Sequence, residues 1–261
     1  MHVTFIGVGE AFDETLPNCS ALVTAPASQG TKSILLDCGF NAPFSYWRIL
    51  KNNPALPDPM DLDAVWISHF HGDHFMGLPA LMLRFHEEGR TAPLLVVGQE
   101  GVEEQVLAAM DMAYPGTRLK FPYALRFQEM EAGAPLTLLG LTWQAAPSEH
   151  PRRNFSLRLD GGARSLLYSG DGRPTPETQA LARGVDLVIH ESFAMELDTP
   201  GHGTVPGSMD FARAAGARRL ALVHLRRDVR AGRMDEIRGL MNQAADLEVL
   251  LPLPGDTVRV G

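Results

Sequence analysis

Cysteine is scarce in this chain, which has two among 261 residues, Cys19 and Cys38. A small fold held together by disulfides needs more than this, so that class of secreted protein is excluded. Each cysteine lies inside or beside an apolar run, at 19–23 and 34–38. We therefore predict that both are buried thiols that fill space in the core.

Basic residues are outnumbered by acidic ones. Lys and Arg total 23 and Asp and Glu total 31, which gives a net charge of −8. A protein with this balance is repelled as a whole by phosphate backbones and anionic lipid, which excludes a general nucleic-acid coat protein. With 45% hydrophobic and 21% charged residues, the chain can bury a sizeable core and is neither disordered nor fibrous.

Long apolar runs are absent as well. The uncharged stretch at 132–148 has 17 residues and is broken by glycines and prolines, so no span of about 20 apolar residues exists. Residues 1–6 enter a strand-like run without the basic segment, apolar segment and cleavage site of an export signal. These features predict a cytoplasmic protein with no membrane-spanning segment.

Short runs rich in leucine or β-branched residues, bounded by Gly, Pro or Asp, recur in both halves of the chain and predict strands. The predicted strands are Val3–Ile6, Ala21–Thr24, Ser33–Leu36, Ala64–Ser68, Leu94–Val97, Leu136–Leu139, Thr142–Ala145, Phe155–Leu159, Ser165–Ser169, Leu187–Ile189 and Leu220–Val223. Segments with helical periodicity lie between several of them. The predicted helices are Gly77–Glu88, Gly101–Met112, Thr175–Arg183, Ser208–Gly216 and Met234–Gln243.

The order of these elements predicts how they pack. Turn signals at 28–30 and 161–162 indicate antiparallel hairpins, whereas apolar strands flanked by helices are typical of parallel pairing. This order favours an α/β fold in which two mixed sheets are sandwiched between helices. Apolar strands resume directly after each loop, so we expect a single domain over residues 1–261.

The strongest motif is a cluster of histidines directly after the strand at 64–68. Residues 69–74 have the sequence His-Phe-His-Gly-Asp-His, whose chance occurrence over the chain is under about one in a thousand. In an extended segment the first two histidines point to the same side. Gly72 then allows a tight turn that brings Asp73 and His74 to a neighbouring point about 3 to 4 Å away, as two adjacent metal ions require.

Two divalent ions need further ligands, and three candidates follow strands, where a sheet would deliver them. The predicted ligand set is His69, His71, Asp73, His74, His150, Asp171 and His224. One ion is expected to be held by His69, His71 and His150. The other is expected to be held by Asp73, His74 and His224. Asp171 is expected to bridge them, since one carboxylate has two oxygens to share.

Such a centre favours an anionic substrate. Two divalent ions, two carboxylates and a bridging hydroxide leave a charge near +1. Coordination lowers the pKa of a water molecule from about 15.7 toward about 7 to 9, which makes hydroxide available at neutral pH. The metals are therefore expected to generate the nucleophile.

A second pair lies outside the ligand set. Glu191 ends the strand at 187–189, and His202 lies in a glycine-flanked loop. A carboxylate beside an imidazole raises its pKa, so that it stays protonated near pH 7 and can protonate a leaving alkoxide. We interpret the pair as a general-acid dyad. The alternatives are that Glu191 only fixes a loop and that His202 is solvated.

Arginines follow two of the predicted ligands, and guanidinium groups suit phosphate or carboxylate oxygens. Arg152 follows His150, and Arg226 and Arg227 follow His224, so these three arginines are candidate substrate-binding residues. A solvated charged face is the other interpretation. Loops at 41–46 and 195–203 are also expected to contact the substrate.

These residues resemble the metallo-β-lactamase superfamily, and within it the ribonuclease Z-like branch. Residues 69–79, His-Phe-His-Gly-Asp-His-Phe-Met-Gly-Leu-Pro, are similar to the histidine motif and following helix of that branch, and residues 190–193, His-Glu-Ser-Phe, to its His-Glu-Ala-Thr-Phe element. The segment 202–224 matches its His-Ser-Thr helix and final ligand strand without a gap. The resemblance implies a four-layer αββα sandwich, two zinc or manganese ions, a homodimer, and phosphodiester hydrolysis in which Asp73, Glu191 and His202 take part.

Two departures from that branch bear on the substrate. The segment between His150 and Asp171 is long enough for a hairpin but lacks the flexible arm that grips tRNA. Residues 225–228 are Leu-Arg-Arg-Asp where the branch usually has Ser-x-Arg-Tyr. With the net negative charge, these departures disfavour tRNA. They favour a small or nucleotide-like phosphodiester, cleaved by attack of a metal-bridging hydroxide.

Two other functions stay open on the same fold. The first is hydrolysis of a carboxyl ester, lactone or thioester, against which the pair of Glu191 and His202 argues, because such a substrate has less need of that acid. The second is a non-catalytic carrier of a small ligand, against which the complete ligand set argues.

Overall fold

Two β-sheets of seven strands each form the centre of the protein in a computed structural model that describes residues 1–28 and 30–261. The strands are β1 (His2–Gly7), β2 (Ser20–Ala27), β3 (Gly30–Leu36), β4 (Ala64–Ile67), β5 (Leu94–Gly98), β6 (Leu125–Glu129), β7 (Leu136–Leu138), β8 (Leu141–Pro147), β9 (Phe155–Gly161), β10 (Arg164–Tyr168), β11 (Leu187–Glu191), β12 (Arg219–Val223), β13 (Glu248–Leu250) and β14 (Thr257–Arg259). The helices are α1 (Ala42–Asn52), α2 (Gly72–Phe75), α3 (Leu78–Glu87), α4 (Val102–Ala113), α5 (Pro176–Ala182), α6 (Val205–Ala215), α7 (Arg227–Gly232) and α8 (Met234–Gln243). None of the helices in the described residues has the length and apolar character to span a membrane.

Both sheets are mixed. The strand order is β14-β1-β2-β3-β4-β5-β6 in the first sheet and β13-β12-β11-β10-β9-β8-β7 in the second. Antiparallel pairing runs from β14 to β3 and from β7 to β10, and the remaining strands of each sheet pair in parallel. The predicted α/β fold of two mixed sheets is confirmed. The two predicted hairpins are β2–β3 and β9–β10, and the turn residue Gln29 lies outside the described residues.

Apolar side chains form three layers of core. Phe5, Trp66 and Trp143 lie between the two sheets. Val65, the neighbour of Trp66 on β4, points to the other face and packs among residues of α1, α3 and α4. A third cluster lies between the second sheet and residues of α5, α6 and α8. Strands that are buried on both faces explain the continuous apolar runs in the sequence. The two sheets and the helices on their outer faces form the αββα sandwich.

The three strands that the sequence did not predict, β6, β13 and β14, are all at sheet edges. An edge strand buries one side only, so its apolar pattern is short and weak. The prediction of a loop at 41–46 is wrong, because α1 begins at Ala42 with Pro43 in its first turn. Proline is well accommodated there, since the first N–H groups of a helix have no intrahelical partner.

Both cysteines are buried free thiols, as predicted. Burial raises the pKa of Cys19 to about 12. It also raises the pKa of Cys38 far above the usual range. Neither thiol is a nucleophile at neutral pH in the folded protein.

Strand directions bring several loops to one edge of the sandwich. Strands β10, β11 and β12 are parallel neighbours, so the loops that follow them leave the second sheet at the same edge. Strand β8 points in the same direction, because it is antiparallel to β9, which is itself antiparallel to β10. The chain therefore delivers residues 148–150, 169–171, 191 and 224 to a common location.

Candidate metal centre

Residues 69–74 connect β4 to α2 and carry four of the predicted ligands. The first of them, His69, is fully buried, and its ring centroid lies 4.7 Å from that of His71 and 4.3 Å from that of His74. A short helix, α2, stands where a tight turn was predicted, and it still brings Asp73 and His74 beside the first two histidines. The ring of Phe40 lies against Gly72, so a Cβ at that position would displace the ring.

The other predicted ligands come from the second sheet. The ring centroid of His150 lies 5.0 Å from those of His69 and His71. His224 lies 5.5 Å from His74, measured between ring centroids. Asp171 reaches both sides, with Oδ2 3.9 Å from Nε2 of His69 and Oδ1 3.3 Å from Nε2 of His74. The structure thus brings all seven predicted side chains together.

Their potential ligand atoms form two groups that share one carboxylate. The first group consists of His69, His71, His150 and Asp171. The second group consists of Asp73, His74, Asp171 and His224. Within each group the ligand atoms lie within 4.8 Å of one another. This is the partition that the motif spacing predicted, with Asp171 between the two groups.

The atoms of these groups fit a divalent ion. Oδ2 of Asp73 is 3.3 Å from Nε2 of His74 and 3.3 Å from Nε2 of His224. Ligands at about 2.0 to 2.1 Å from a tetrahedral zinc ion are separated by about 3.3 to 3.4 Å. Among the described residues, Nε2 of His69, Nε2 of His74 and Oδ1 of Asp171 are buried without a hydrogen-bond partner. Such orphaned atoms are rare unless something else satisfies them, and a divalent cation held by these residues would satisfy them.

Asp37, which the sequence analysis did not select, organises the first motif from behind. It is fully buried directly after β3, and its Oδ2 accepts hydrogen bonds of 2.7 Å from Nδ1 of His74, from the Ser68 hydroxyl and from the Tyr168 hydroxyl. Its Oδ1 accepts the Ser68 N–H at 2.8 Å. A histidine that donates one ring N–H to a carboxylate presents its other nitrogen as a ligand. Asp37 therefore fixes the tautomer and direction of His74.

Left-handed backbone occurs at two of these positions. Asp37 and His224 both have φ of 56°, which non-glycine residues seldom adopt. The N–H of His224 donates to the carbonyl of Val8 at 2.9 Å, and the N–H of Asp37 donates to the carbonyl of Trp66 at 2.8 Å. Strained backbone held by surrounding hydrogen bonds is found mainly where side chains must point in one direction.

His150 is oriented by the loop that carries His202. Its Nδ1 lies 2.8 Å from the carbonyl of Gly201, so Nδ1–H donates there and Nε2 is turned toward Nδ1 of His71, 3.2 Å away. The same loop is held by Arg173, whose guanidinium donates to the carbonyls of His202 and Thr199 at 2.9 and 3.0 Å. The first ligand group and the His202 loop therefore share hydrogen bonds.

Glu191 and His202 lie together beside the second ligand group. The carboxylate of Glu191 is fully buried and accepts backbone N–H groups from Gly172, Phe193 and Gly203 at 2.8 to 3.0 Å. Its Oε1 lies 3.4 Å from Nδ1 of His202. The His202 ring stacks on Phe193 at a centroid distance of 4.3 Å. Glu191 thus fixes a loop, and it also faces the imidazole as the dyad interpretation requires.

The carboxylates of the centre are held in the charged form. Burial alone would raise the pKa of Asp73, but His74 and His224 outweigh it and lower that pKa far below the usual range. The same two histidines lower the pKa of buried Asp171. Burial would also raise the pKa of Glu191, and the imidazole of His202 lowers it instead. Three buried carboxylates with low pKa values make this a site for positive charge.

An open cleft of about 570 Å³ gives access to the centre. Four of the predicted ligands and His202 of the acid pair line it, together with aromatic and basic side chains. The lining residues are Glu10, Ala11, Phe12, Phe40, His71, Gly72, Asp73, Asp171, Phe193, His202, His224, Arg226 and Arg227. The loop predicted at 195–203 contributes His202 to it.

Two of the three candidate arginines line this cleft, and both are already paired. Arg226 donates to Asp198 at 3.0 Å and to Asp228 at 2.6 Å. Arg227 donates to buried Glu10 at 2.6 Å. The guanidinium of Arg152 lies over the ring of Phe70, 5.9 Å from its centroid, and Arg152 is outside the cleft lining. The basic rim expected from sequence is thus largely neutralised.

Residues 32–225 match the model of a family described as the beta-lactamase superfamily domain. The chain belongs to this family. The match covers both ligand groups and most of both sheets. Membership of the superfamily, predicted from the histidine motif, is therefore confirmed.

Curated relatives of this superfamily member are ribonucleases. Ribonuclease BN of Cronobacter sakazakii is 26% identical over 279 aligned residues, which cover 86% of this chain and 88% of that protein. Ribonuclease Z of Methanosarcina acetivorans is 26% identical over 275 residues, which cover 86% and 87%. The resemblance to the ribonuclease Z-like branch is confirmed, and these names give no support to the expectation that tRNA is disfavoured.

Solved structures share the fold over the whole chain. The short form of human tRNase Z superposes with a TM-score of 0.77 at 20% identity and covers 100% of both chains. The metallo-beta-lactamase fold protein YhfI from Bacillus subtilis superposes with a TM-score of 0.76 at 22% identity and covers 98% of both chains. This similarity confirms the αββα architecture.

Proposed function

We propose that this protein is a metal-dependent hydrolase that cleaves phosphodiesters of the nucleotide type. The observation that carries the proposal is the pair of ligand groups that share Asp171 on the floor of an open cleft. Relatives called ribonuclease Z and ribonuclease BN support a phosphodiester as the substrate. The buried Glu191 beside His202 adds a candidate proton donor, which supports hydrolysis over mere ligand binding.

The donor set suits two divalent ions, with zinc the first candidate and manganese the second. Imidazole and carboxylate ligands in groups of four are typical of zinc. In this proposal the first group would hold one ion and the second group the other, and Asp171 belongs to both groups. When bound, such ions lower the pKa of a water molecule and polarise phosphoryl oxygens.

The protein's own residues then divide the remaining work. His202 has Nδ1 turned toward Glu191, so Nε2 is the ring nitrogen left to protonate the leaving oxygen. Glu191 orients that ring and keeps its backbone loop in place through three N–H groups. Asp73, which lines the cleft, is the proposed catalytic carboxylate as well as a metal ligand. Arg226 and Arg227 contact the substrate at the rim.

Substrate size follows from what surrounds the cleft. The segment between His150 and Asp171 consists mainly of the hairpin β9–β10, whose strands continue the second sheet. This segment leaves little chain for a separate RNA-gripping arm, which supports a small or nucleotide-like phosphodiester as the proposed substrate. Precursor tRNA belongs in the same assay, because the short form of human tRNase Z shares the fold.

The test is hydrolysis of bis(p-nitrophenyl) phosphate by protein that has been stripped with a chelator and reloaded with Zn²⁺ or Mn²⁺. We expect turnover that rises until two ions are bound per chain and is lost again with chelator. The proposal is overturned if the protein binds two ions and does not hydrolyse this diester. Hydrolysis of p-nitrophenyl acetate or a lactone by the same protein would then identify an ester hydrolase.

The same assay tests His202. In the His202→Ala variant, turnover of a dinucleoside phosphate should fall by about 10²- to 10⁴-fold, because its leaving alkoxide needs a proton. Turnover of bis(p-nitrophenyl) phosphate should fall much less, because p-nitrophenolate leaves without one. His2→Ala, at an exposed histidine of β1, is the control. Equal losses of turnover on both diesters would show that His202 is not the general acid.

A further inference from the structure

Two aromatic side chains of the cleft lining are exposed rather than packed. Phe12 is 75% exposed and Phe40 is 53% exposed, and both line the cleft above the ligand groups. Most phenylalanines of a soluble protein are buried, and exposed apolar groups that cluster around a cleft mark a binding site. The two rings therefore need an explanation in terms of what the cleft receives.

Phe12 is held in place by buried Glu10. One oxygen of Glu10 accepts the N–H of Phe12 at 2.8 Å, and the other accepts Nη1 of Arg227 at 2.6 Å. The guanidinium of Arg227 in turn lies over the ring of Phe12, 5.6 Å from its centroid. One carboxylate thus fixes both the backbone of Phe12 and the cation that stacks on its ring. The remaining ring surface is open to the cleft.

Phe40 is held against the ligand segment. The tip of its ring lies against Gly72, at a place that any Cβ on residue 72 would occupy. Gly72 stands between His71 and Asp73, one residue from each ligand group. A flat group that stacks on Phe40 is therefore adjacent to the reacting centre.

We propose that Phe12 and Phe40 form a stacking subsite for a nucleobase carried by the phosphodiester. This subsite rests on the proposed function, which places the phosphate on the floor of the cleft and the base at its aromatic rim. Every nucleobase has a flat π-face, and stacking on aromatic side chains binds bases without reading their sequence. The arginines of the rim are paired with carboxylates. The rim therefore offers a ligand exposed aromatic surface and little free positive charge.

The experiment compares two ligands that differ only in the base. Adenosine 5′-monophosphate and ribose 5-phosphate are titrated calorimetrically into Zn²⁺-reloaded protein. The variants are Phe12→Leu and Phe40→Leu, each of which keeps an apolar side chain and removes the ring. Phe44→Leu is the matched control, because Phe44 is 71% exposed on α1 and lies outside the cleft lining.

We expect the unsubstituted protein to bind the nucleotide at least about 5-fold more tightly than the sugar phosphate. Each cleft variant should lose most of that preference and leave the affinity for ribose 5-phosphate unchanged, whereas Phe44→Leu should alter neither. Equal affinities for the two ligands, or a preference that survives in both cleft variants, would overturn the subsite.

Failure of the subsite and failure of the proposed function give different results. Turnover of bis(p-nitrophenyl) phosphate with equal affinities for the two ligands overturns the subsite alone. Base-dependent binding without turnover of any diester overturns the hydrolase proposal and leaves the subsite in place.

Discussion

The floor and the rim of the cleft are built in opposite ways. On the floor, Asp73, Asp171 and His224 are buried, and ligands are oriented from behind by further buried groups, as Asp37 orients His74. At the rim, Phe12 and Phe40 are largely exposed, and the arginines lie in ion pairs near the surface.

This difference assigns catalysis to the floor of the cleft and substrate binding to its rim. A floor that is buried and hydrogen-bonded from behind keeps its geometry when substrate changes, as ligands and acid groups require. A rim of exposed side chains can be altered with little effect on the fold. Substitutions on the floor should therefore abolish the reaction, and substitutions at the rim should change how tightly a substrate binds while leaving kcat intact.

The largest effect is expected for Asp171→Asn. The amide has one acceptor oxygen in place of two and no charge, so it cannot serve both ligand groups. We expect fewer than two ions per chain and a loss of phosphodiester turnover beyond about 100-fold, more than outer partners of metal ligands usually contribute. Metal content and kcat measure this. Asp235→Asn, at a fully exposed carboxylate of α8, is the control. An Asp171→Asn variant that binds two ions and has near-normal kcat would contradict the distinction between floor and rim.

An intermediate effect is expected behind the ligands, for Asp37→Asn. The amide keeps one acceptor oxygen and has no charge, so in either orientation its NH₂ group faces a donor that the carboxylate now accepts, and the hydrogen bond that orients His74 is lost or weakened. Metal affinity should fall by about 10- to 100-fold, measured by competition with a chelating dye. Tyr168→Phe removes one donor to the same oxygen and should weaken metal binding less.

If Asp37→Asn unfolds, the Tyr168→Phe variant still tests whether the hydrogen bonds to Asp37 support metal binding. Unchanged metal affinity in a folded Tyr168→Phe, or in a folded Asp37→Asn, would show that the floor does not depend on support from behind. Either variant could also lose metal affinity while the thermal stability of its metal-free form stays unchanged. That result would show that Asp37 acts by positioning His74 and not by general packing.

The contrast also explains what sequence could predict. The histidine motif is dense, so four ligands are recognisable from spacing alone, and the rest follow strands whose apolar runs are clear. Asp37 is a single carboxylate after a strand, and its partners Ser68, His74 and Tyr168 are 31, 37 and 131 residues away in the chain. Its role depends on tertiary contacts that no local pattern records.

The rim was less predictable for a similar reason. The arginines after His224 look like free anion-binding groups in sequence, but Asp198 and Glu10, far away along the chain, fold back to pair with Arg226 and Arg227. Phe12 and Phe40 have no periodic context that distinguishes an exposed ring from a buried one. Only the fold shows that they share a cleft with the ligands.

The smallest effect is expected for Arg226→Met. The guanidinium is partnered by Asp198 and Asp228, and exposed ion pairs of this kind contribute little free energy. We expect KM for a phosphodiester to rise by about 2- to 5-fold with kcat unchanged, and the matched Arg152→Met variant, outside the cleft lining, to leave both constants unchanged. If the turnover number of Arg226→Met instead fell by about tenfold or more, the guanidinium would have to leave its carboxylates and act on the reacting phosphate, so that this part of the rim would belong with the floor.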